Sequence, residues 1–189
     1  MRCAAAVIAG MFVVSTAAAA ESMTAEEEVR AMIGRQHAGA AGVPLFADLS
    51  CVTEYGGVLW VRGKRADGWW QDLVRCKRRM VLVLHRNVRG DPEVAPRWQV
   101  VDALVLPHEL LDFDPEHPKD VDLYQPGSGQ CAFDGHRDDI YALVREVDNR
   151  PITWRRGLLG AWSFDPKGGR ILPLPLKRVV CDLPDRALH

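Results

Sequence analysis

The residue types best suited to chemistry are concentrated in one short acidic segment, residues 108–122. Carboxylates and two histidines fall within fifteen residues there, namely His108, Glu109, Asp112, Asp114, Glu116, His117, Asp120 and Asp122. Such side chains could bind a divalent cation, but their spacing matches neither an EF-hand loop nor an HExxH helix. Charge of one sign also attracts an oppositely charged protein. We therefore expect a solvated segment that contacts a basic partner, without a metal or cofactor.

No arrangement typical of nucleophilic or acid–base catalysis is evident. Ser128 lies in Pro-Gly-Ser-Gly, which lacks the glycine that a nucleophile elbow places two residues before its serine. Asp102 is an acid inside the apolar run 100–106, and strand alternation predicts that it points outward. We therefore expect no catalytic residues and no enzymatic activity. An unrecognised hydrolase is the least favoured alternative, and it predicts a pocket around Asp102 or around Asp138 and Asp139.

Two adjacent tryptophans, Trp69 and Trp70, are a second candidate binding feature. Neighbouring residues of a strand point to opposite faces, so one ring can be buried while the other is exposed for sugar stacking or partner binding. Arg75, Lys77 and Arg79 alternate nearby and predict a basic stripe along one strand face. A solvated face covered by long side chains is the simpler interpretation of the same pattern.

The first twenty residues predict a secretory signal peptide, residues 1–20. Arg2 supplies a positive start, residues 4–14 are apolar, and small residues at 18–20 favour cleavage after about Ala20. The remaining residues 21–189 then form a single secreted β-rich domain. No later run reaches the length of a transmembrane helix, so we expect a periplasmic or secreted protein without a membrane span.

Four cysteines follow the predicted signal peptide. Cys51, Cys76, Cys131 and Cys181 are separated by 24, 54 and 49 residues, which matches no compact zinc signature. An even number in an exported chain predicts two disulfides. Of the three possible pairings we favour Cys51 with Cys76 and Cys131 with Cys181, because each pair then closes one half of the chain.

Charge is unevenly distributed, although the net charge is only −1. Basic residues outnumber acidic ones ten to six in residues 51–106, are outnumbered eleven to three in 107–148, and outnumber them eight to three in 149–189. A basic helix or a high isoelectric point, as in nucleic-acid-binding proteins, is not found. We expect no nucleic-acid partner.

The elements that carry these residues are mainly strands. Residues 80–86 and 97–106 are short, β-branched apolar runs on either side of a turn that contains Gly and Pro, which predicts a central hairpin. Strands at 47–54 and 58–62 are expected before it. Turns are predicted at 56–57 and at 64–68, where Asp67-Gly68 is a hairpin signal.

One helix and a second set of strands complete the prediction. Thr24 and Glu27 fit a capping box, which predicts a helix over about 25–37, ended by Gly39 and Gly42. Residues 140–147 and 154–164 repeat the hairpin pattern, and Pro173 and Pro175 mark residues 171–176 as an edge strand or extended chain. Similar halves at about 45–107 and 124–184 indicate either an internal duplication or shared strand patterning.

The predicted fold is mainly β: an antiparallel meander, or a two-part β-sandwich or barrel-like body, with one N-terminal helix and two disulfides. This format resembles small periplasmic proteins of Gram-negative bacteria that block cell-wall hydrolases or neutralise secreted effectors. The resemblance implies a non-enzymatic binding or inhibitor protein with a basic partner. The alternative is a peptidoglycan- or carbohydrate-binding envelope protein that uses exposed tryptophan.

Overall fold

The computed structural model describes residues 23–38, 45–61, 64–88, 97–107, 121–124, 131–136, 140–145 and 151–182. These residues form one α-helix, α1 (Ala25–Met32), twelve strands and a 3₁₀ helix at Leu176–Arg178. The strands are β1 (Gln36–His37), β2 (Val52–Val61), β3 (Lys64–Cys76), β4 (Arg79–Asn87), β5 (Trp98–Val105), β6 (Val121–Tyr124), β7 (Cys131–Phe133), β8 (Ile140–Arg145), β9 (Ile152–Thr153), β10 (Leu158–Asp165), β11 (Arg170–Pro173) and β12 (Val179–Cys181).

The described strands form three antiparallel sheets. The five-stranded sheet has the order β1-β5-β4-β3-β2, the four-stranded sheet β11-β10-β8-β6, and the three-stranded sheet β7-β12-β9. The predicted mainly β, antiparallel fold with one helix is confirmed, and the sheets do not close into a barrel.

Three apolar clusters stack these elements into four layers. Helix α1 and residues 45–49 cover one face of the five-stranded sheet. The opposite face of that sheet packs against the four-stranded sheet. The four-stranded sheet in turn packs its other face against the three-stranded sheet. Burial of apolar surface between successive layers holds the elements together.

The predicted central hairpin is confirmed as β4 and β5. The two strands pair from Val81 with Val105 to Asn87 with Trp98. Residues 81–84 are fully buried on β4, which lies between β3 and β5 in the sheet. An uninterrupted apolar run is expected where a strand is covered on both faces.

The two turns predicted before this hairpin are wrong. Gly56 and Gly57 lie inside β2, opposite Asp72 and Gln71 of β3. Asp67-Gly68 lies inside β3, where the register with β2 shifts and Gly68 adopts a φ of +77°. Glycine is favoured at an irregularity of this kind as well as in a two-residue turn, so the dipeptide alone does not distinguish them.

Helix α1 begins at the predicted capping box but ends at Met32, five residues before the expected end at His37. The next residue, Ile33, is extended, and Gly34 adopts a φ of +85°. The Gly34 N–H donates to the Val100 carbonyl, 2.8 Å away, so the chain joins the sheet edge as β1. Pairing with β5 therefore replaces the last predicted helical turn. Gly39 and Gly42 lie outside the described residues.

The second predicted hairpin is present as β8 and β10, which pair antiparallel. Strand β10 begins at Leu158 rather than 154, because Thr153 and Arg156 exchange backbone hydrogen bonds in a turn. Pro173 ends β11, an outer strand of the four-stranded sheet, as predicted from the proline. Whether the halves are duplicated stays a prediction.

Both predicted disulfides are confirmed. Cys51 is bonded to Cys76, and Cys131 is bonded to Cys181. Two disulfides fit an oxidising compartment outside the cytosol. In the described part of the chain, no helix has the length and apolar character needed to cross a membrane. The predicted signal peptide lies outside the described residues.

Candidate functional site

Five polar side chains are buried in the described part of the chain, and two of them lie within 2.9 Å of each other on the five-stranded sheet. They are Glu28, Thr53, Gln71, Asp72 and His85. Burying a polar or charged group is costly unless a partner compensates for the lost water. The partners of Asp72 and His85 are therefore the first place to search for a site.

Asp72, His85 and His37 form a continuous polar chain. His85 is fully buried, and its Nε2 lies 2.9 Å from Asp72 Oδ2. That separation is an ion-pair distance, but the two groups are not aligned as a hydrogen bond. On the other side of the ring, His85 Nδ1 is hydrogen-bonded to His37 Nε2 at 3.0 Å. The chain runs from a buried carboxylate to a half-buried imidazole.

The strand register brings these three residues together. His85 of β4 lies opposite Trp70 of β3 and Val100 of β5. Asp72 follows Trp70 by two residues and so shares its face of the sheet. His37 reaches the same face from β1, where it pairs with Trp98 of β5. Four neighbouring strands thus contribute to one small area.

A glycine makes room for the Asp72 carboxylate. A Cβ atom on Gly56 of β2 would lie 1.9 Å from Asp72 Oδ1 and 3.1 Å from Trp70 Nε1. Trp70 Nε1 donates a hydrogen bond of 2.8 Å to the same Asp72 oxygen. The carboxylate is therefore positioned through both oxygens, one toward Trp70 and one toward His85.

Aromatic rings surround the exposed end of this chain. Trp70 and Trp98 lie with ring centroids 5.7 Å apart, and Phe46 contacts the His37 ring edge to face at 5.7 Å. The Arg35 guanidinium lies 4.1 Å from the centre of the Phe46 ring. Arg35 also makes two hydrogen bonds to Asp48, which lower the pKa of that carboxyl. Both tryptophans are half-buried, so part of this aromatic surface is open to solvent.

The environment keeps His37 uncharged at neutral pH. Burial, together with the neighbouring His85, lowers the pKa of His37 from 6.5 to about 4, while Asp72 opposes the shift. A neutral imidazole has a free lone pair, which can accept a proton or bind a metal ion. The exposed end of the chain is therefore a base or a ligand, not a fixed cation.

A second buried acid, Glu28 of α1, has a structural role. Its carboxylate accepts hydrogen bonds from the Ser50 N–H at 3.2 Å and from the Ser50 hydroxyl at 2.7 Å, and it lies 3.3 Å from Cys51 Sγ. Glu28, Cys51 and Cys76 are the one trio of metal-binding residue types that clusters within the described residues. Both sulfurs are committed to the disulfide, so this trio anchors the helix rather than binding an ion.

Most of the predicted acidic site lies outside the described residues. Those five residues are Glu109, Asp112, Asp114, Glu116 and Asp120. The sixth, Asp122, belongs to β6, where it pairs with Val144 of β8. Asp138 and Asp139, the alternative acidic pair, also fall outside the described residues. The segment's binding role stays a prediction.

Trp69 and Trp70 point to opposite faces, as alternation predicted. Trp69 packs against the apolar cluster between the five- and four-stranded sheets. Trp70 lies on the other face beside Asp72. Whether either ring binds a ligand stays a prediction.

The expected basic stripe does not form along one strand, because β3 ends at Cys76 and the chain turns at Lys77, whose φ is +55°. Arg75 instead pairs with Glu54 at 2.6 Å, and Arg79 lies 3.5 Å from Glu26.

Asp102 does not point outward to solvent as alternation predicted. It is half-buried, and its Oδ2 accepts a 2.7 Å hydrogen bond from the Ile171 N–H of β11, while Oδ1 accepts from the Ala103 N–H. Alternation from Asp102 onward holds, because Ala103 and Val105 pack on the helix side of the sheet and Leu104 packs on the opposite side with Asp102. The prediction of solvent exposure is wrong because the four-stranded sheet covers that opposite side. Asp102 thus joins two sheets.

An aromatic and basic surface is found in the C-terminal part instead. Trp154 is 42% exposed, and the cationic groups of Arg155 and Lys177 lie 4.8 Å and 5.3 Å from the centre of its ring. These residues are distant from Trp69 and Trp70 in sequence. Trp154 with its two neighbouring cations therefore forms the kind of surface, an exposed aromatic ring beside basic side chains, that the sequence had predicted around residue 70.

Sequence reasoning missed His37 and His85, because the two residues are 48 positions apart. No spacing rule connects a histidine expected at the end of a helix with one on a buried strand. The available signal was His85 itself, a titratable residue that directly follows the apolar run 81–84.

Comparison of the chain with protein-family models, with curated proteins and with solved structures finds no significant match.

Proposed function

We propose that the chain is a non-enzymatic binding protein of an oxidising compartment, either periplasmic or secreted, that neutralises a basic protein partner. A cell-wall hydrolase or a secreted effector is the kind of partner that fits. The contact surface in this proposal is the acidic segment 108–122. The two disulfides support an oxidising compartment. The place of the acidic segment in the chain, between β5 and β6, supports its role as the contact surface.

The observation that carries the proposal is that the acidic segment connects two described strands of different sheets. It follows β5 of the five-stranded sheet and leads into β6 of the four-stranded sheet. On the near side, the Leu106 N–H donates to the Met80 carbonyl at 2.8 Å, and on the far side β6 pairs with β8. Connections between rigid elements commonly carry binding residues. Clustered negative charge also accelerates encounter with a basic protein.

Charge neutralisation tests this proposal with a basic lysozyme as the probe. The variant Asp112→Asn/Asp114→Asn/Glu116→Gln should lose most of the capture and inhibition of lysozyme that the wild-type chain shows at low salt. The matched control is Glu26→Gln/Glu54→Gln/Asp67→Asn, which changes net charge equally but at described surface positions of the five-stranded half. The control should retain binding.

Three results would contradict an electrostatic contact through the segment. Equal losses in the two triple variants would mean that net charge alone attracts the probe. Unchanged capture by the segment variant would place the contact elsewhere. Binding that does not weaken between low and physiological salt would also argue against an electrostatic contact.

The alternative, a carbohydrate- or peptidoglycan-binding protein, is supported by the exposed Trp154 with its two neighbouring cations. Aromatic rings stack on sugars, and cations attract the carboxylates of peptidoglycan. Sedimentation with insoluble peptidoglycan distinguishes the two functions. A glycan-binding protein should co-sediment in a manner that Trp154→Ala abolishes and that Trp60→Ala, at an equally exposed ring, does not.

A further inference from the structure

We propose that His37 and His85 together bind a divalent transition-metal ion, and that Asp72 orients His85 for this purpose. The site lies on the face of the five-stranded sheet that α1 and residues 45–49 cover, where Phe46 contacts the His37 ring. It uses no residue of the acidic segment and does not depend on the proposed function. It departs from the sequence-based expectation that the chain holds no metal.

The separation of the two ring nitrogens fits two ligands of one ion. His85 Nδ1 and His37 Nε2 are 3.0 Å apart. With metal–nitrogen bonds of about 2.0–2.1 Å, two ligands at a right angle are about 2.9 Å apart and two at a tetrahedral angle about 3.3 Å. An ion can therefore bind both nitrogens once the hydrogen bond between them is broken and the rings turn so that both lone pairs point at the ion. His37 lies on an edge strand of only two residues, where such a movement costs least.

The second ring nitrogen of His85, Nε2, lies next to a carboxylate, as is common for histidines that bind metal ions. Such a histidine commonly directs its second nitrogen at a carboxylate, which fixes the tautomer and makes the first nitrogen a better ligand. Asp72 Oδ2 lies 2.9 Å from His85 Nε2, and Trp70 holds the other Asp72 oxygen. A proton held on Nε2 leaves the Nδ1 lone pair directed at His37.

The surroundings favour a site in which water completes the coordination of the ion, rather than a structural site in which protein side chains supply every ligand. His85 is fully buried, whereas His37 is half-buried, so an ion between them is reached from the His37 side. Water would fill the remaining positions. Imidazole nitrogen suits copper, zinc and nickel, and copper(II) binds most strongly in the usual order of divalent ions. Copper(II) is therefore the probe of choice.

The experiment uses the untagged full-length mature protein with both disulfides intact, titrated with copper(II) at pH 7 by calorimetry and by electron paramagnetic resonance. We expect one ion per chain, with hyperfine structure from two nitrogens. His37→Asn should reduce the signal to one nitrogen and weaken binding at least tenfold. Asp72→Asn should retain both nitrogens but weaken binding by about 10- to 100-fold.

Two control variants separate this site from other histidines. His136→Asn, at an exposed position, should bind copper as the wild type does. His108→Asn/His117→Asn removes the histidines of the acidic segment and should also bind normally. Loss of binding in that double variant, with retention in His37→Asn, would overturn the proposal.

A measurement on the wild-type chain removes any dependence on the folding of the variants. Zinc(II) added to protein labelled with ¹⁵N at histidine should shift the resonances of His37 Nε2 and His85 Nδ1 and leave His85 Nε2 protonated. Unshifted ring nitrogens at saturating zinc would show that the two histidines form only a hydrogen bond. That result would overturn the proposal whatever the variants do.

Discussion

The first half of the fold is the five-stranded sheet with α1, and the second, C-terminal half is the four- and three-stranded sheets. Each half contains one disulfide, yet the two halves bury different side chains. All five buried polar residues in the described part of the chain lie between residues 28 and 85. The buried residues of β8, β10 and β12 are apolar, with Tyr141 and Trp162 contributing the polar atoms that aromatic side chains bring. The first half therefore accepts a desolvation cost that the second avoids.

This difference indicates that the second half serves as a scaffold, whereas the first half also contains the histidine site. An apolar interior is sufficient for stability, and polar groups inside it are costly unless they are hydrogen-bonded or paired. In the first half, Glu28 anchors the helix, whereas Asp72 and His85 lead to a half-exposed histidine. The C-terminal half shows no comparable group among its described residues. Changes in the second half should affect stability, and changes in the first should also affect the histidine site.

Removal of the C-terminal disulfide should have the largest effect on stability. Cys131→Ser/Cys181→Ser opens a loop with a sequence separation of 50 residues. The chain-entropy relation gives a loss of about 4 kcal/mol in the free energy of unfolding. Guanidinium denaturation without reductant measures it. In the native state, the histidine ring resonances should be unchanged, and altered resonances would contradict the separation of scaffold and site.

Removal of the buried carboxylate should cost less stability but should affect the site directly. Asp72→Ala leaves the buried Trp70 Nε1 without its acceptor and removes the carboxylate beside His85 Nε2, which predicts a loss of about 1–3 kcal/mol. The same denaturation measurement applies, together with a change in the His85 tautomer seen by ¹⁵N spectroscopy. Asp67→Ala is the control, because the Asp67 side chain is 91% exposed. Equal effects of the two substitutions would mean that the buried carboxylate has no special role.

Loss of the helix cap tests how strongly α1 covers the first half. Thr24 accepts a hydrogen bond from the Glu27 N–H, and Glu27 accepts one from the Thr24 N–H. Thr24→Ala should reduce the free energy of unfolding by about 1 kcal/mol. Glu27→Gln keeps a capping box and should be nearly neutral. A larger loss for Glu27→Gln than for Thr24→Ala would contradict this account of the cap.

Acid should destabilise the chain through His37, and this effect should be the smallest because the residue is half exposed. The folded-state pKa of about 4 lies below the ordinary value of 6.5, so the unfolded chain binds more protons between these limits. Stability due to this group is present above pH 6.5 and is lost as the pH falls toward 4. Urea midpoints measured with a chelator from pH 7 to pH 4 test this. His37→Asn should flatten the dependence, and His136→Asn should not.

Local sequence patterns predicted much of the fold. The apolar run 81–84 predicted a buried strand, and the Thr24 capping box predicted the helix start. The even number and spacing of the cysteines, together with the expectation of export, predicted both disulfides. The turns at 56–57 and 64–68 failed because glycine serves an irregular strand as well as a turn. The helix end failed because pairing of β1 with β5 competed with helix propensity.

The sequence by itself determined the class of fold, the number of disulfides and the place of the acidic segment along the chain. Each of these follows from residue types and their spacing in the chain. Only the tertiary structure decided which side chains meet across the sheets. It placed His37 beside His85 across 48 positions, and it directed Asp102 to β11 rather than to solvent. Strand register and order set these contacts. Both arise from packing of the whole sheet, and a local pattern contains neither.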